Sequence, residues 1–321
     1  MRPIRIALSD FSTEVKPQDI DCLRPLKADR PVDFVDFADA DLLIYSDFGE
    51  KHWGFKGLKV YVTGENMLPD FGQCDLAFTP FESADEPRAV RLPYYAQALP
   101  GLGSLVRPTG YDARAYLERE KFCSFVASNP RGPERNTFFR ALNRRSPVDS
   151  AGRHFNTTGT RLRCKQTFLL DYRMNLAFEN TRSPGYVTEK LVEPLLAGCI
   201  PIYWGAPDVV RDFNPGCMIN VSDFPDFDSA IEHILKVDAD DALYLQYLRE
   251  PWFNDNAPPS WFHPQEHLQA WQRFLATPWV ERPRIYRDRG LRDHVRGTGL
   301  GRHLSSLGTK LDGLLWKAGW R

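Results

Sequence analysis

The chain has 321 residues, 41 basic against 42 acidic side chains and 42% hydrophobic residues, enough for one large domain or two of ordinary size with a full core. Its 13% aromatic content and balanced charge exclude an unfolded polar chain, and no uncharged apolar run approaches the ~20 residues of a membrane-spanning helix. The balance is uneven: residues 282–321 carry a net +7 and the preceding body −8, so the body repels nucleic acid while the end is a basic appendage.

Met1-Arg2-Pro3 leads directly into Ile4–Leu8, which reads as a first strand rather than the core of a secretory leader. Asp41–Tyr45, Lys59–Val62 and Asp75–Phe78 read as three more strands, each ending in a polar or glycine-containing cluster. Strands at such intervals predict parallel βα units. Chemistry in these sheets gathers beyond the carboxyl ends of the strands, which makes the Thr63–Asn66 loop a candidate site. A Pro/Gly-rich stretch, 93–108, and a charged one, 112–121, readable as helix or hinge, place a boundary near residue 115. A second alternation follows: strand 122–127, helix 134–144, helix 164–172, strand 175–178, helix 187–197 and strand 200–204. Three helices, 227–235, 242–249 and 264–276, complete the body. The six cysteines lie far apart without a CxxC pair and read as thiols in a reducing compartment, with metal or disulfide use as the alternative.

The most informative run is Asn175 to Gly205: strand, loop, helix, strand. Its strand ends at Glu179-Asn180, Gly185 permits a sharp turn, and the helix opens near Val187-Thr188. A diphosphate at that helix start would meet free N–H groups and the charge of Lys190. Glu189 offers acceptors for ribose hydroxyls, and Tyr186 a flat ring and a phenol. An ordinary crossover helix with a surface Glu-Lys pair fits the same spacing. Phe122–Arg135 repeats the layout, with Ser128-Asn129 at the strand end and Arg135 in the first helical turn; an exposed arginine is the simpler alternative. Glu65 sits at a strand end in the first half, where a carboxylate can serve as general base or merely pair with a turn N–H.

These stretches resemble a known family. YVTGENMLPDFGQCDLAFTPFE, FVASNPRGPERNTFFRAL and FENTRSPGYVTEK…IPIYWG, in this order, strongly resemble the α1,3/α1,4-fucosyltransferases (glycosyltransferase family 10), bacterial members most of all, over about residues 1–280. The resemblance implies an α/β, glycosyltransferase B fold: two Rossmann-like domains facing across a cleft, residues 1–115 on the acceptor side and 116–281 on the GDP-fucose side, with 282–321 as a basic amphipathic tail. It implies inverting transfer of L-fucose from GDP-β-L-fucose to the 3- or 4-hydroxyl of N-acetylglucosamine in an N-acetyllactosamine-type acceptor, building Lewis-type surface glycan. No cofactor or metal is expected to be required; a divalent metal would at most stimulate. Glu65 matches the family's general base, Arg135 and Lys190 its diphosphate-contacting cations, and Asn180, Tyr186 and Glu189 its donor-binding positions. With the strand-end residues Ser128, Asn129 and Glu179 they form the candidate donor-binding set. Another nucleotide sugar, or a non-catalytic nucleotide-sugar-binding or membrane scaffold, is the alternative.

Two DxD strings, Asp39-Ala40-Asp41 and Asp238-Ala239-Asp240, fall where a structural role is expected, and His263/His267 reads as the surface face of a helix. In the tail, arginines from Arg284 to Arg296 precede leucines at three- and four-residue steps up to Trp316 and Trp320, an amphipathic pattern suited to an anionic membrane surface. A helix packing back on the body, or a floppy end, is the alternative. The expected location is cytoplasmic, peripheral on the inner face of the membrane.

Overall fold

The computed structural model describes residues 2–277, except 13–14, 83–84, 99–105, 109–110 and 161; the tail 282–321 and its membrane reading lie outside the described residues. Two fully parallel sheets organise the body. The first is built from β1 (Ile4–Ser9), β2 (Val32–Phe34), β3 (Leu42–Tyr45), β4 (Leu58–Val62), β5 (Leu76–Thr79) and β6 (Ala89–Arg91), in the order β2-β1-β3-β4-β5-β6. The second is built from β7 (Lys121–Phe125), β8 (Val148–Ser150), β9 (Tyr172–Phe178), β10 (Ile200–Trp204) and β11 (Ile219–Asn220), in the order β11-β10-β9-β7-β8. Both follow one rule: the second strand lies outside the first, and the third starts on the other side. Each sheet therefore has a switch point, between β1 and β3 and between β7 and β9, where a crevice opens beyond the strand ends.

The central strands are buried on both faces, as parallel sheets require. Along β3, β4 and β5, Leu42, Ile44, Val60, Val62, Leu76 and Phe78 join one apolar cluster, while Leu43, Tyr45, Tyr61 and Ala77 join another on the opposite face. In the second sheet Phe125, Met174, Leu176, Phe178 and Ile202 pack with α3 (Pro133–Arg145), α6 (Phe227–Ala239) and α7 (Asp241–Arg249). α1 (Leu23–Asp29) and α2 (Tyr94–Ala98) belong to the first sheet, and α4 (Lys165–Leu169) and α5 (Glu189–Ala197) to the second.

One apolar core runs between the sheets, joining Leu92, Tyr95 and Ala96 to Val187, Leu191, Val192 and Leu195. Arg91 pairs with Asp212 inside this region, both almost fully buried, and Asp212 also accepts from Tyr95 Oη at 3.2 Å and Trp261 Nε1 at 3.2 Å. The last described helix, α8 (Pro264–Ala276), packs on α1: Trp271 is wholly buried and its indole N–H donates to the Cys22 carbonyl at 2.7 Å.

Two expectations change. The helix read over 164–172 is the five-residue α4, which begins after Cys164 and ends early because Tyr172 and Arg173 already belong to β9, where every residue is buried. His267 is not on a surface face: it shares the inward stripe of α8 with Ala270, Trp271 and Phe274, lies edge-on to Phe78, and burial lowers its pKa. All six cysteines are free thiols, and only Cys164 is exposed.

Candidate functional site

β9 carries Glu179 and Asn180 to the carboxyl end of the second sheet. Glu179 is wholly buried. Its carboxylate accepts the Thr188 N–H at 2.7 Å and the Thr188 hydroxyl at 2.8–2.9 Å, and Lys190 Nζ stands 3.3 Å from Oε2. Thr188 is the N-cap of α5, its Oγ1 accepting from the Lys190 N–H, and Lys190 Nζ donates to the same oxygen at 3.0 Å. Glu189 Oε1 lies 3.4 Å from Lys190 Nζ. A cation in the first turn works against the helix dipole; the anion it answers within the chain is Glu179.

These charges hold one another. Burial raises the Glu179 pKa against the pull of Lys190. Burial also opposes charge on Lys190, but Glu179 and Glu189 outweigh it and the pKa is raised. Glu189 is lowered because Lys190 and Lys165 overcome its burial. Lys190 thus stays an ammonium in a desolvated place, the condition in which a fixed cation acts most strongly. Gly185 turns the loop with φ 73°; a Cβ there would stand 2.6 Å from the Pro80 carbonyl oxygen and 2.9 Å from Arg91 Nη1, so only glycine fits. Its N–H donates to Asp208 Oδ1 at 2.7 Å.

The neighbouring strand β7 leads to the second helix start. Ser128 and Asn129 are exposed. Gly132, with φ 141°, precedes α3 and leaves its flank bare beside the Arg135 guanidinium. Arg135 is 3% exposed. Its Nη1 donates to Asn180 Oδ1 at 2.8 Å, and its Nη2 to the carbonyls of Asn129 and Arg131. Its buried Nε has no partner among the described residues, and burial lowers its pKa against the pull of Glu179. Arg135 thus ties the start of α3 to Asn180 beyond β9, across the switch point.

From the first sheet, β4 leads into Thr63, which is buried and whose hydroxyl donates to Asp47 and accepts the Glu65 N–H at 3.0 Å. Asp47 also accepts from Tyr61 Oη. Glu65 itself is exposed. Asn66 Nδ2 donates to Thr181 Oγ1 at 2.7 Å, tying this loop to the one after β9.

A cavity of about 460 Å³ lies between these loops, within the usual range of ligand pockets. Glu65 lines it from the first sheet, and Asn180, Tyr186, Glu189 and Lys190 from the second. Arg135 reaches it through Asn180, and Glu179 lies beneath Lys190. Ser128 and Asn129 do not line it. Thr188, the shared partner of Glu179 and Lys190, is an addition; a Thr directly before an apolar helical run was the available signal. Phe11, Phe48, Tyr94 and Asp21 also line the cavity, without any local mark in the sequence.

The DxD strings are occupied otherwise. Asp41 pairs with Arg5 at 2.9 Å, Asp238 with Arg173 at 3.0 Å, and Asp240 caps α7 through the N–H groups of Ala242 and Leu243. Among the described residues no group of three or more His, Cys, Asp or Glu is placed to hold a metal, and no helix is long and apolar enough to cross a membrane.

The model of "Glycosyltransferase family 10 (fucosyltransferase) C-term" matches residues 116–274, and that of the "Alpha-(1,3)-fucosyltransferase FucT N-terminal domain" residues 6–97. The chain is similar to the alpha-(1,3)-fucosyltransferase FucT of Helicobacter pylori, 34% identical over 260 residues, 72% of this chain and 54% of that protein. It is also similar to alpha-(1,3)-fucosyltransferase B of Drosophila melanogaster, 38% identical over 82 residues, 25% of this chain and 18% of that one. The chain thus spans about half the length of the first relative and less of the second. Its fold resembles the crystal structure of an alpha1,3-fucosyltransferase with GDP-fucose, with a TM-score of 0.73 and 29% identity over 86% of this chain and 91% of that one.

Proposed function

We propose a reaction for this chain from one premise: it belongs to glycosyltransferase family 10, the fucosyltransferases. The chain transfers L-fucose from GDP-β-L-fucose, with inversion, to the 3- or 4-hydroxyl of N-acetylglucosamine in an N-acetyllactosamine-type glycan. One observation carries this reading: a single cavity has Glu65 on one side and Asn180, Tyr186, Glu189 and Lys190 on the other. We place the donor on the second sheet and the acceptor on the first, in a glycosyltransferase B arrangement.

In the step, the acceptor oxygen attacks the anomeric carbon from the face opposite the diphosphate. The new C–O bond forms as the C–O bond to phosphate breaks, and its electron pair leaves on GDP. Glu65 takes the hydroxyl proton. Negative charge grows on the diphosphate, where Lys190 and, through Asn180, Arg135 meet it; groups fixed beforehand stabilise the transition state more than the ground state. Inversion needs one base and no covalent intermediate. Glu179, buried and bound to Thr188 and Lys190, acts as a positioning residue.

The test is transfer from GDP-fucose to N-acetyllactosamine and to its type-1 isomer in EDTA, followed by linkage analysis. Product is expected on at least one acceptor. Glu65→Gln is expected to keep GDP-fucose binding and lose transfer, and Lys190→Ala to weaken both. Equal donor affinity in wild type and Lys190→Ala would remove the phosphate role, and no turnover of GDP-fucose would overturn the donor.

A further inference from the structure

The cavity has two walls of opposite chemistry. The wall from the second sheet supplies the ammonium and helix start described above. The wall from the first sheet has no Lys, Arg or His among its described residues, but two carboxylates, Asp21 and Glu65, and three aromatic rings, Phe11, Phe48 and Tyr94. Two carboxylates repel a phosphate, so this wall suits a neutral ligand. Rings beside hydroxyl acceptors are what a pyranose needs, with apolar C–H faces on one side and O–H donors at its rim.

We infer that Asp21 and Phe48, on the cavity wall at the β1/β3 switch point, determine which acceptor the chain takes. The inference rests on the function proposed above and names the residues that select its second substrate.

Three features support it. The wall stands where an open parallel sheet binds ligands: Phe11 follows β1 and Phe48 follows β3, at the switch point. Phe48 is 53% exposed, a large apolar ring left in water at the edge of a cavity, yet its loop is firmly placed: the Phe48 N–H donates to the Asp10 carbonyl at 2.9 Å, and Asp10 accepts from the N–H groups of Lys51 and His52 at 3.1 and 2.9 Å. An exposed ring carried on a firmly held backbone is a stacking surface whose loop need not be ordered on binding. The Asp21 side chain is 15% exposed; its Oδ1 meets Arg24 Nη2 at 2.9 Å, and Arg24 is largely in solvent. Burial raises the Asp21 pKa against the pull of Arg24, so this carboxylate gains from hydroxyl donors brought by a ligand. Gln97 adds direction. Its Nε2 hydrogens go to the Thr63 and Leu92 carbonyls, at 3.0 and 2.9 Å, which leaves its carbonyl oxygen as the atom it can offer to a sugar hydroxyl.

The experiment measures acceptor KM for N-acetyllactosamine, its type-1 isomer and lactose, and GDP affinity by titration, for Asp21→Asn, Phe48→Ala, Phe48→Tyr and Arg24→Ala. Asp21→Asn and Phe48→Ala are expected to raise acceptor KM about tenfold and to change the preference among the three acceptors, with GDP affinity unaltered. Phe48→Tyr, which keeps the ring, restores KM. Arg24→Ala breaks the ion pair without touching the cavity and should leave KM near wild type; if it reproduces Asp21→Asn, the carboxylate is structural and the inference fails. Unchanged acceptor KM, or a fall in GDP affinity, in Asp21→Asn also overturns it. A chain that turns over GDP-fucose but uses none of the three acceptors overturns the proposed acceptor class and this inference with it. Retained transfer in Glu65→Gln overturns only the base assignment and leaves the Asp21 result readable.

Discussion

Thr63 uses each polar atom it has. Its N–H donates to the Phe78 carbonyl at 3.0 Å, its carbonyl accepts from Gln97, and its hydroxyl hydrogen goes to Asp47, which turns a lone pair toward the Glu65 N–H. The proposed base is therefore placed by a hydroxyl that a second carboxylate orients. Thr63→Val, which keeps the shape, is expected to lower kcat for transfer about tenfold with little change in GDP affinity, and Thr63→Ser to recover most of it; an equal loss of GDP affinity would mark a general fold effect. Asp10 is a second such residue, with φ 61° and a carboxylate that binds His52 Nδ1 at 2.8 Å as well as two N–H groups. Burial works against its charge, but these donors outweigh it and its pKa is lowered. A lowered carboxyl stabilises the fold fully above the unfolded-state pKa of ~3.9 and loses that contribution as pH falls through its own lower value. The urea midpoint gap between wild type and Asp10→Asn should be widest near neutrality and close below about pH 4. The positions of Glu65, Asn180, Glu189 and Lys190 were legible as strand ends and a helix start. That Glu179 lies beneath Lys190, wholly buried, was not, because a charge among strand residues carries no local mark of which way it faces.

Among the elements, α5 shows how a helix start is held together. Thr188 caps it, satisfies Glu179 through N–H and hydroxyl, and holds Lys190 through the same oxygen. Thr188→Val should cost about 1–2 kcal/mol from the lost cap and the weakened partner of Glu179, read from urea denaturation, and GDP affinity should fall with it as Lys190 loses its anchor. Retained affinity with lowered stability would restrict Thr188 to capping. The strongly patterned elements were legible: α5, α8 and β10 declare themselves, and β9 does so over its last four residues, 175–178. The three-residue strands β2, β6 and β8 and the two-residue β11 did not, since so few residues hold no period. The end of α4 was misjudged because an apolar run at Tyr172 suits a helix as well as a buried strand, and the neighbouring strands decide.

At the level of the whole molecule, Arg91 and Asp212 pin the two sheets together. Asp212→Ala would leave a buried guanidinium without its counter-ion, a change that costs about 3–5 kcal/mol and should show as a lowered urea midpoint; a loss below about 1 kcal/mol would mean that the arginine finds another partner or water. Asp212→Asn, which keeps one of the two acceptor oxygens that Tyr95 and Trp261 use, should cost less. These partners stand 121 residues apart, and no spacing within the sequence relates them. The same holds for Trp271 and Cys22, 249 residues apart, through which α8 closes on α1. The alternation of strands and helices foretold parallel sheets, but not the contacts that cross between them.

Gly185 belongs to the loop beside the proposed phosphate site, yet the atoms that forbid it a side chain, the Pro80 carbonyl and the Arg91 guanidinium, come from the other sheet. The two halves have been fitted to each other at that point. A hybrid that joined the first half of this chain to the second half of a relative, to trade acceptor preference, would inherit a mismatch there unless the segment around Pro80 and Arg91 travelled with Gly185 and Asp212. The natural unit of exchange is then a set of loops at the cavity wall, Phe11 and Phe48 among them, grafted onto an intact pair of sheets.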